Sequence, residues 1–291
     1  MRELYSALVT PYNAGGEFDP TLLEGLLKFQ KKQGLDGVYV GGSSGEAVLQ
    51  SVAERQAVLK AVAEHNPGLK LIAHVGTVAT RDAQSLAEVA ERAGYSAISA
   101  ISPFYYGFSE DELFAHYTAI SEASALPLIV YSFPQKGLGL SRELCDRLLA
   151  NPKISGVKYT SADLYMLDQL KRAYPNKIFF NGFDEILLAG LTMGADGGIG
   201  TTYNFMGDVF VTIRSEWEAG NQSKALRLQG IANDMIERVY PSIIDGTKYV
   251  LARMGYQTGR ARAPFQPHDW TAVPGLDAAI DNLIAWRESR K

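Results

Sequence analysis

Lys158 closes the apolar run Ile154-Ser-Gly-Val157, where packing gives no reason for a charged side chain. If that run is a strand, its end presents an amine, and a desolvated lysine amine is a nucleophile toward ketones. The alternative is a lysine that snorkels to water or pairs with a carboxylate. Tyr131 closes a similar run, Pro127-Leu-Ile-Val130. Neighbouring strands lie about 4.8 Å apart, so two such ends would bring the side chains together. A phenol beside an amine can shuttle protons during imine formation and carbon–carbon cleavage. Taken alone, it is equally a ring that packs.

A third element is the loop Gly41-Gly-Ser-Ser-Gly-Glu46. It lacks the lysine of a P-loop and the spacing of a dinucleotide fingerprint, so it does not point to a nucleotide. It offers the hydroxyls of Ser43 and Ser44 and a backbone whose N–H groups can turn inward, which suits a carboxylate. A plain strand-to-helix turn is the other reading.

Other chemistry is excluded or unsupported. The four histidines, His65, His74, His116 and His268, show no metal-ligand spacing with a cysteine or carboxylate, so no metal is expected. Cys145, the single cysteine, falls in the helix-like stretch from Ser141 to Ala150 and reads as a packed thiol. One cysteine forms no internal disulfide, and a reducing cytoplasm is the simplest setting. A net charge of −4 gives no basic field for nucleic acid or an acidic membrane. No apolar run approaches the ~18 residues of a membrane span. Met1 to Pro11 lacks the pattern of a signal peptide.

The elements that must position Lys158 and Tyr131 form a regular series. Apolar runs at Ser6–Thr10, Gly37–Val40, Lys70–Val75, Ala97–Ile101, Pro127–Tyr131, Ser155–Lys158, Lys177–Asn181 and Gly197–Gly200 read as strands. They lack long charged faces, as parallel strands buried on both sides do. Helical patterns lie between them. Ser51-Val-Ala-Glu54 and Ser109-Glu-Asp-Glu112 match the capping box, and Gly34, Gly94 and Gly194 follow helical runs as C-terminal caps. Eight strand–helix repeats in 291 residues predict a (β/α)₈ TIM barrel over 1–220. A helical C-terminal extension over 221–291 follows, with helices at Ser223–Val239, Thr247–Met254 and Leu276–Glu288 and a polar connection from Gly255 to Pro274. Catalysis in such barrels sits at the C-terminal strand ends, and these are where Lys158, Tyr131 and the Gly41–Glu46 loop fall.

Several motifs carry a family resemblance across the whole chain, in order and at matching spacing. Gly41-Gly-Ser-Ser-Gly-Glu46, Pro103-Phe-Tyr-Tyr106, Tyr131 with Pro134, Gly156-Val-Lys158 and Gly194-Ala-Asp-Gly-Gly-Ile-Gly200 resemble the dihydrodipicolinate synthase / N-acetylneuraminate lyase superfamily. Tyr39-Val-Gly-Gly42, Ile72-Ala-His-Val-Gly76, Asp163-Leu-Tyr165, Asn181-Gly-Phe-Asp-Glu185 and Tyr203-Asn204 look most like its lyase branch.

That resemblance implies a pyruvate-dependent aldolase that cleaves N-acetylneuraminate reversibly to pyruvate and N-acetylmannosamine. It implies a small-molecule 2-keto acid as partner, no cofactor beyond the lysine, and a homotetramer. Lys158 would form the imine and Tyr131 relay the proton of the aldol hydroxyl. Ser43 and Ser44 would bind the pyruvate carboxylate. Tyr105 matches a tyrosine that reaches across a subunit interface to the catalytic tyrosine. Thr160, Gly182, Asp184, Glu185 and Thr201 match positions that bind the polyhydroxyl tail and N-acyl group. Ser44 stands where threonine is usual and Thr201 where serine is, and both keep the hydroxyl. Lys136 stands where the synthase branch has arginine and the lyase branch an apolar residue. It leaves open a synthase, or a lyase of a different sugar acid. A non-catalytic keto-acid binder on the same fold is the rival from another class.

Overall fold

Short Val- and Ile-rich runs separated by helix-length stretches cannot pair as tight hairpins, so each strand returns through a crossover and lies parallel to the last. The computed structural model describes residues 2–289. Its strands are β1 (Glu3–Ala7), β2 (Gly37–Val40), β3 (Lys70–His74), β4 (Ala97–Ile101), β5 (Leu128–Ser132), β6 (Ile154–Tyr159), β7 (Ile178–Asn181) and β8 (Gly197–Gly200). They form one closed barrel in sequence order, with β8 paired to β1. The crossovers carry α1 (Leu23–Lys32), α2 (Val52–Glu64), α3 (Thr80–Arg92), α4 (Glu110–Glu122), α5 (Arg142–Leu149), α6 (Leu164–Ala173) and α7 (Leu187–Thr192), and α8 (Tyr203–Glu218) follows β8. Three more helices complete the described chain: α9 (Gln222–Val239), α10 (Ile243–Arg253) and α11 (Leu276–Glu288). This is the expected TIM barrel with C-terminal helices.

Strand alternation divides the core in two. Tyr5, Ala7, Tyr39, Ile72, Ala97, Ile129, Phe180 and Ile199 form one cluster that fills the barrel lumen. The residues between them, such as Val38, Ala73, Ile98, Val130 and Val157, join the larger cluster shared with the helices. A lumen filled by tyrosine, isoleucine and phenylalanine is a packed floor, on which the C-terminal strand ends stand.

Three expectations are corrected. The first strand is Glu3–Ala7, not Ser6–Thr10. Leu8 N–H still donates to Tyr39 O at 2.9 Å, but Val9 N–H turns to Asn204 Oδ1 at 3.2 Å, which ends the ladder. Charged Glu3 is tolerated in the strand because its carboxylate receives Lys70 and the Tyr5 hydroxyl. The remaining strands match their expected spans to within one residue at either end. Ser109 and Glu112 form the reciprocal capping box. Ser51 caps α2 through Glu54 N–H at 3.2 Å, but the Glu54 carboxylate turns away to Arg262. The third difference is α10, which begins at Ile243 rather than Thr247, directly after the 3-10 turn Tyr240–Ser242 that contains Pro241.

Gly34, Gly94 and Gly194 all take positive φ, as expected of C-terminal caps. Cys145 is buried on α5. Among the described residues no helix is long and apolar enough to cross a membrane, and no group of His, Cys, Asp and Glu could hold a metal ion.

Candidate active site

Parallel pairing of β5 and β6 sets Tyr131 directly opposite Lys158. Both side chains follow the inward alternation of Ile129 below them and are buried, Lys158 at 5% exposure. The lysine does not snorkel to water, and it makes no salt bridge among the described residues. Its nitrogen lies 3.9 Å from the centroid of the Tyr131 ring and 4.7 Å from that of Tyr39. The two rings meet edge to face at 85°. Tyr39 donates its hydroxyl to Ser99 Oγ at 3.0 Å. Phe133 stacks against Tyr131, with centroids 6.1 Å apart.

His74, at the end of β3, packs edge to face on Tyr131 and ties three strand ends together. Its Nε2 accepts from Ile101 N–H at 3.3 Å, so the ring proton belongs on Nδ1, which lies 2.9 Å from Gly41 O. Burial, then the Arg55 guanidinium, then Lys158 push this histidine well below its ordinary pKa, so the ring is neutral. Arg55 itself donates to His74 O at 2.8 Å and Gly76 O at 2.9 Å.

The Gly41–Glu46 loop is held from within and from outside. Gly45 N–H donates to Gly42 O at 3.1 Å and Glu46 N–H to Ser43 O at 3.0 Å. Thr10 Oγ1 and Gln50 Nε2 donate to Gly45 O at 2.7 and 2.8 Å. The N–H groups of Ser43 and Ser44 make no hydrogen bond among the described residues. Ser43 is exposed and Ser44 is buried, with its Oγ 2.7 Å from Thr201 Oγ1. Thr201 is therefore joined to the serine loop, whereas the family resemblance assigned it to the sugar tail.

Across the mouth, Thr160, Gly182, Asp184 and Glu185 cluster after β6 and β7. A Cβ on Gly182 would lie 1.9 Å from Thr160 Oγ1, so this approach admits only glycine. Thr160 Oγ1 is buried and lacks a partner. Asp184 is buried, and its Oδ2 accepts from Thr202 N–H at 2.7 Å and Thr202 Oγ1 at 2.6 Å. Its Oδ1 lies 2.1 Å from where a Cβ on Gly200 would sit. Burial and the neighbouring Glu185 push the Asp184 carboxyl up to about 7, against the two Thr202 bonds and Lys158. Helix α9 fixes the backbone here: Gln229 Nε2 donates to Asp184 O at 3.1 Å and Asn233 Nδ2 to Glu185 O at 3.0 Å.

Two residues stand apart. Tyr105 is 89% exposed and takes φ 83, which is strained for a bulky residue, so within this chain it does not reach Tyr131. Lys136 is exposed on the 3-10 turn Pro134–Lys136.

Sequence reasoning left Tyr39, His74, Ser99 and Thr202 without roles. The first three had a signal, since period-2 alternation turns each inward on its strand. Thr202 had none, because its bond to Asp184 spans a loop. The lysine, the phenol, the hydroxyl loop and the two acids thus share one mouth, chemistry suited to forming an imine with a carboxylated ketone.

Known proteins match the chain along its length. The model of the dihydrodipicolinate synthetase family matches residues 1–283. The N-acetylneuraminate lyase of Rhizobium meliloti is 48% identical over 288 residues, covering 98% of this chain and 96% of that one. The solved sialic acid aldolase catalytic lysine mutant of Ruminococcus gnavus aligns with TM-score 0.94 at 31% identity, over 99% of this chain and 97% of that one. The N-acetylneuraminate lyase of Fusobacterium nucleatum complexed with pyruvate aligns with TM-score 0.89 at 32% identity, over 98% and 97%. With this coverage and the barrel just described, the chain belongs to the dihydrodipicolinate synthetase family.

Proposed function

We propose that the chain is a Schiff-base aldolase that cleaves N-acetylneuraminate reversibly to pyruvate and N-acetylmannosamine. The observation that carries this reading is the buried Lys158–Tyr131 pair, set between a hydroxyl loop and two carboxylates. The names of the relatives support it, as do the pyruvate in the Fusobacterium nucleatum lyase and the catalytic lysine of the Ruminococcus gnavus sialic acid aldolase.

The Lys158 amine attacks the C2 ketone of the sugar acid, and loss of water gives an iminium. Tyr131 gives its proton to the departing hydroxyl and, as the phenolate so formed, takes the proton of the C4 hydroxyl while the C3–C4 bond breaks. Its electron pair moves into the iminium, leaving an enamine and releasing the aldehyde. Protonation at C3 and addition of water free pyruvate and restore the lysine. Ser43 and Ser44 hold the carboxylate, and their unused N–H groups suit an anion. Asp184, Glu185 and Thr160 accept the sugar hydroxyls, and Gly182 leaves room for them. Two acids suit a neutral polyhydroxyl aldehyde and repel an anionic one. Thr201, bonded to Ser44, links the two ends.

Residues 1–220 act as the catalytic barrel and 221–291 as its extension. The enzyme works in the cytoplasm without a metal or nucleotide. A homotetramer would place Tyr105, exposed beside Tyr106 in this chain, against a partner's catalytic tyrosine. The test is product analysis on a panel of 2-keto sugar acids. Equal amounts of pyruvate and N-acetylmannosamine from N-acetylneuraminate are expected. Pyruvate release only from a different sugar acid would reassign the substrate, and none from any would favour a binding protein.

A further inference from the structure

Glu46 ends the serine loop in the left-handed region, at φ 59. Its side chain is fully buried and forms an ion pair of 2.6 Å with the equally buried Lys248 of α10. Its second oxygen accepts from Arg262 N–H at 2.6 Å. Lys248 also donates to Arg260 O at 3.1 Å and lies 4.2 Å from the centroid of Tyr12. The Arg262 guanidinium carbon is also 4.2 Å from the Tyr12 centroid. The backbone of the same glutamate donates to Ser43 O, and Ser44 lies between them. Glu46 is thus tied through its backbone to the serine loop.

Stability alone does not account for this arrangement. A glycine would take the left-handed conformation without strain, and two apolar side chains of similar volume commonly replace a buried ion pair at little cost. A buried pair does fix direction, because each partner must face the other and their remaining valences must be met. We propose that Glu46 and Lys248 are positioning residues through which the C-terminal extension sets the affinity of the serine loop for a substrate carboxylate. This builds on the reading of Ser43 and Ser44 given above.

The test uses borohydride trapping of a ketone on Lys158, with the full chain as wild type and as the double variant Glu46→Gln/Lys248→Met. Removing both charges together leaves no lone buried ion, so the double variant should keep its melting temperature. It should need roughly 10-fold more pyruvate for half-maximal trapping, as loss of one charge-assisted bond to the carboxylate would give. Its maximal trapping should be unchanged, as should its trapping of acetone, which has no carboxylate. A half-saturation unchanged for pyruvate, or an equal loss for acetone and pyruvate, would overturn the proposal. Should the double variant not fold, Lys248→Arg keeps the charge but moves it. The same selective loss for pyruvate is expected there, and an unchanged half-saturation would overturn the proposal. Wild type that traps no pyruvate on Lys158 would instead overturn the parent reading, and this one with it.

Discussion

Lys158 and Tyr131 face each other across β5 and β6, with the lysine nitrogen 3.9 Å from the centroid of the tyrosine ring. Direct register pairing fixes this relationship, so it does not depend on a flexible loop. The ring lies under the lysine nitrogen, and the hydroxyl, which makes no hydrogen bond among the described residues, stays available to a substrate.

Tyr131→Phe keeps the ring and removes only the hydroxyl. Turnover of N-acetylneuraminate should fall by roughly 10²–10⁴-fold, the usual weight of a general acid–base group. Borohydride trapping of pyruvate should persist. Steady-state kinetics beside trapping measures both, and unchanged turnover would move the proton relay to another group.

Asp184 predicts a pH-dependent stability. Its ordinary value is 3.8 and burial raises it to about 7, so between those limits the native chain binds more protons than the unfolded one. Its contribution is therefore greatest below about pH 4, declines as pH rises to about 7, and is constant above. Asn imitates the protonated acid and can still accept from Thr202. Thermal melts of Asp184→Asn should gain on wild type across that window. Parallel curves would mean that Asp184 is already ionised throughout.

Lys158 and Tyr131 were legible because they obey strand alternation, whereas Ser43 and Ser44 came from a loop motif and Thr160, Gly182, Asp184, Glu185 and Thr201 from the family resemblance alone. Lys158 interrupts an apolar run, and the repeat of runs places it at the barrel mouth. Even the glycine-rich β8, with little apolar signal, falls at Gly197–Gly200 as the series requires. The misplacements arise where partners lie far along the chain. Glu54 has a serine three residues back to cap, yet pairs with Arg262 of the extension. Glu46 reads as the end of a loop motif, and its partner Lys248 is 202 residues away. The connection from Gly255 to Pro274 reads as a polar link, yet Arg260 and Arg262 in it bind Asp245, Glu54 and the glutamate of the serine loop. Periodicity reports which face a residue takes, not which distant group meets it there.

On the proposed reading, Glu185 rather than Lys136 sets the preference for the aldehyde. Glu185 is half-buried beside Asp184, and Lys136 is exposed. An exposed, strongly hydrated ammonium holds a carboxylate poorly compared with a bidentate guanidinium. Glu185→Ala should lower kcat/KM for N-acetylneuraminate by roughly 10-fold or more, and Lys136→Ala should leave it within about twofold. Parallel assays of condensation with aspartate semialdehyde supply the contrast. Faster turnover of that aldehyde, abolished in Lys136→Ala, would place the chain among the synthases.

The most direct measurement is the site of the covalent adduct. Pyruvate and borohydride should add one reduced pyruvyl group per chain, and peptide mapping should find it on Lys158. Lys158→Ala should carry none while retaining its fold. An adduct on another lysine, or an equal adduct in Lys158→Ala, would contradict the account of this barrel as a Schiff-base aldolase acting through Lys158.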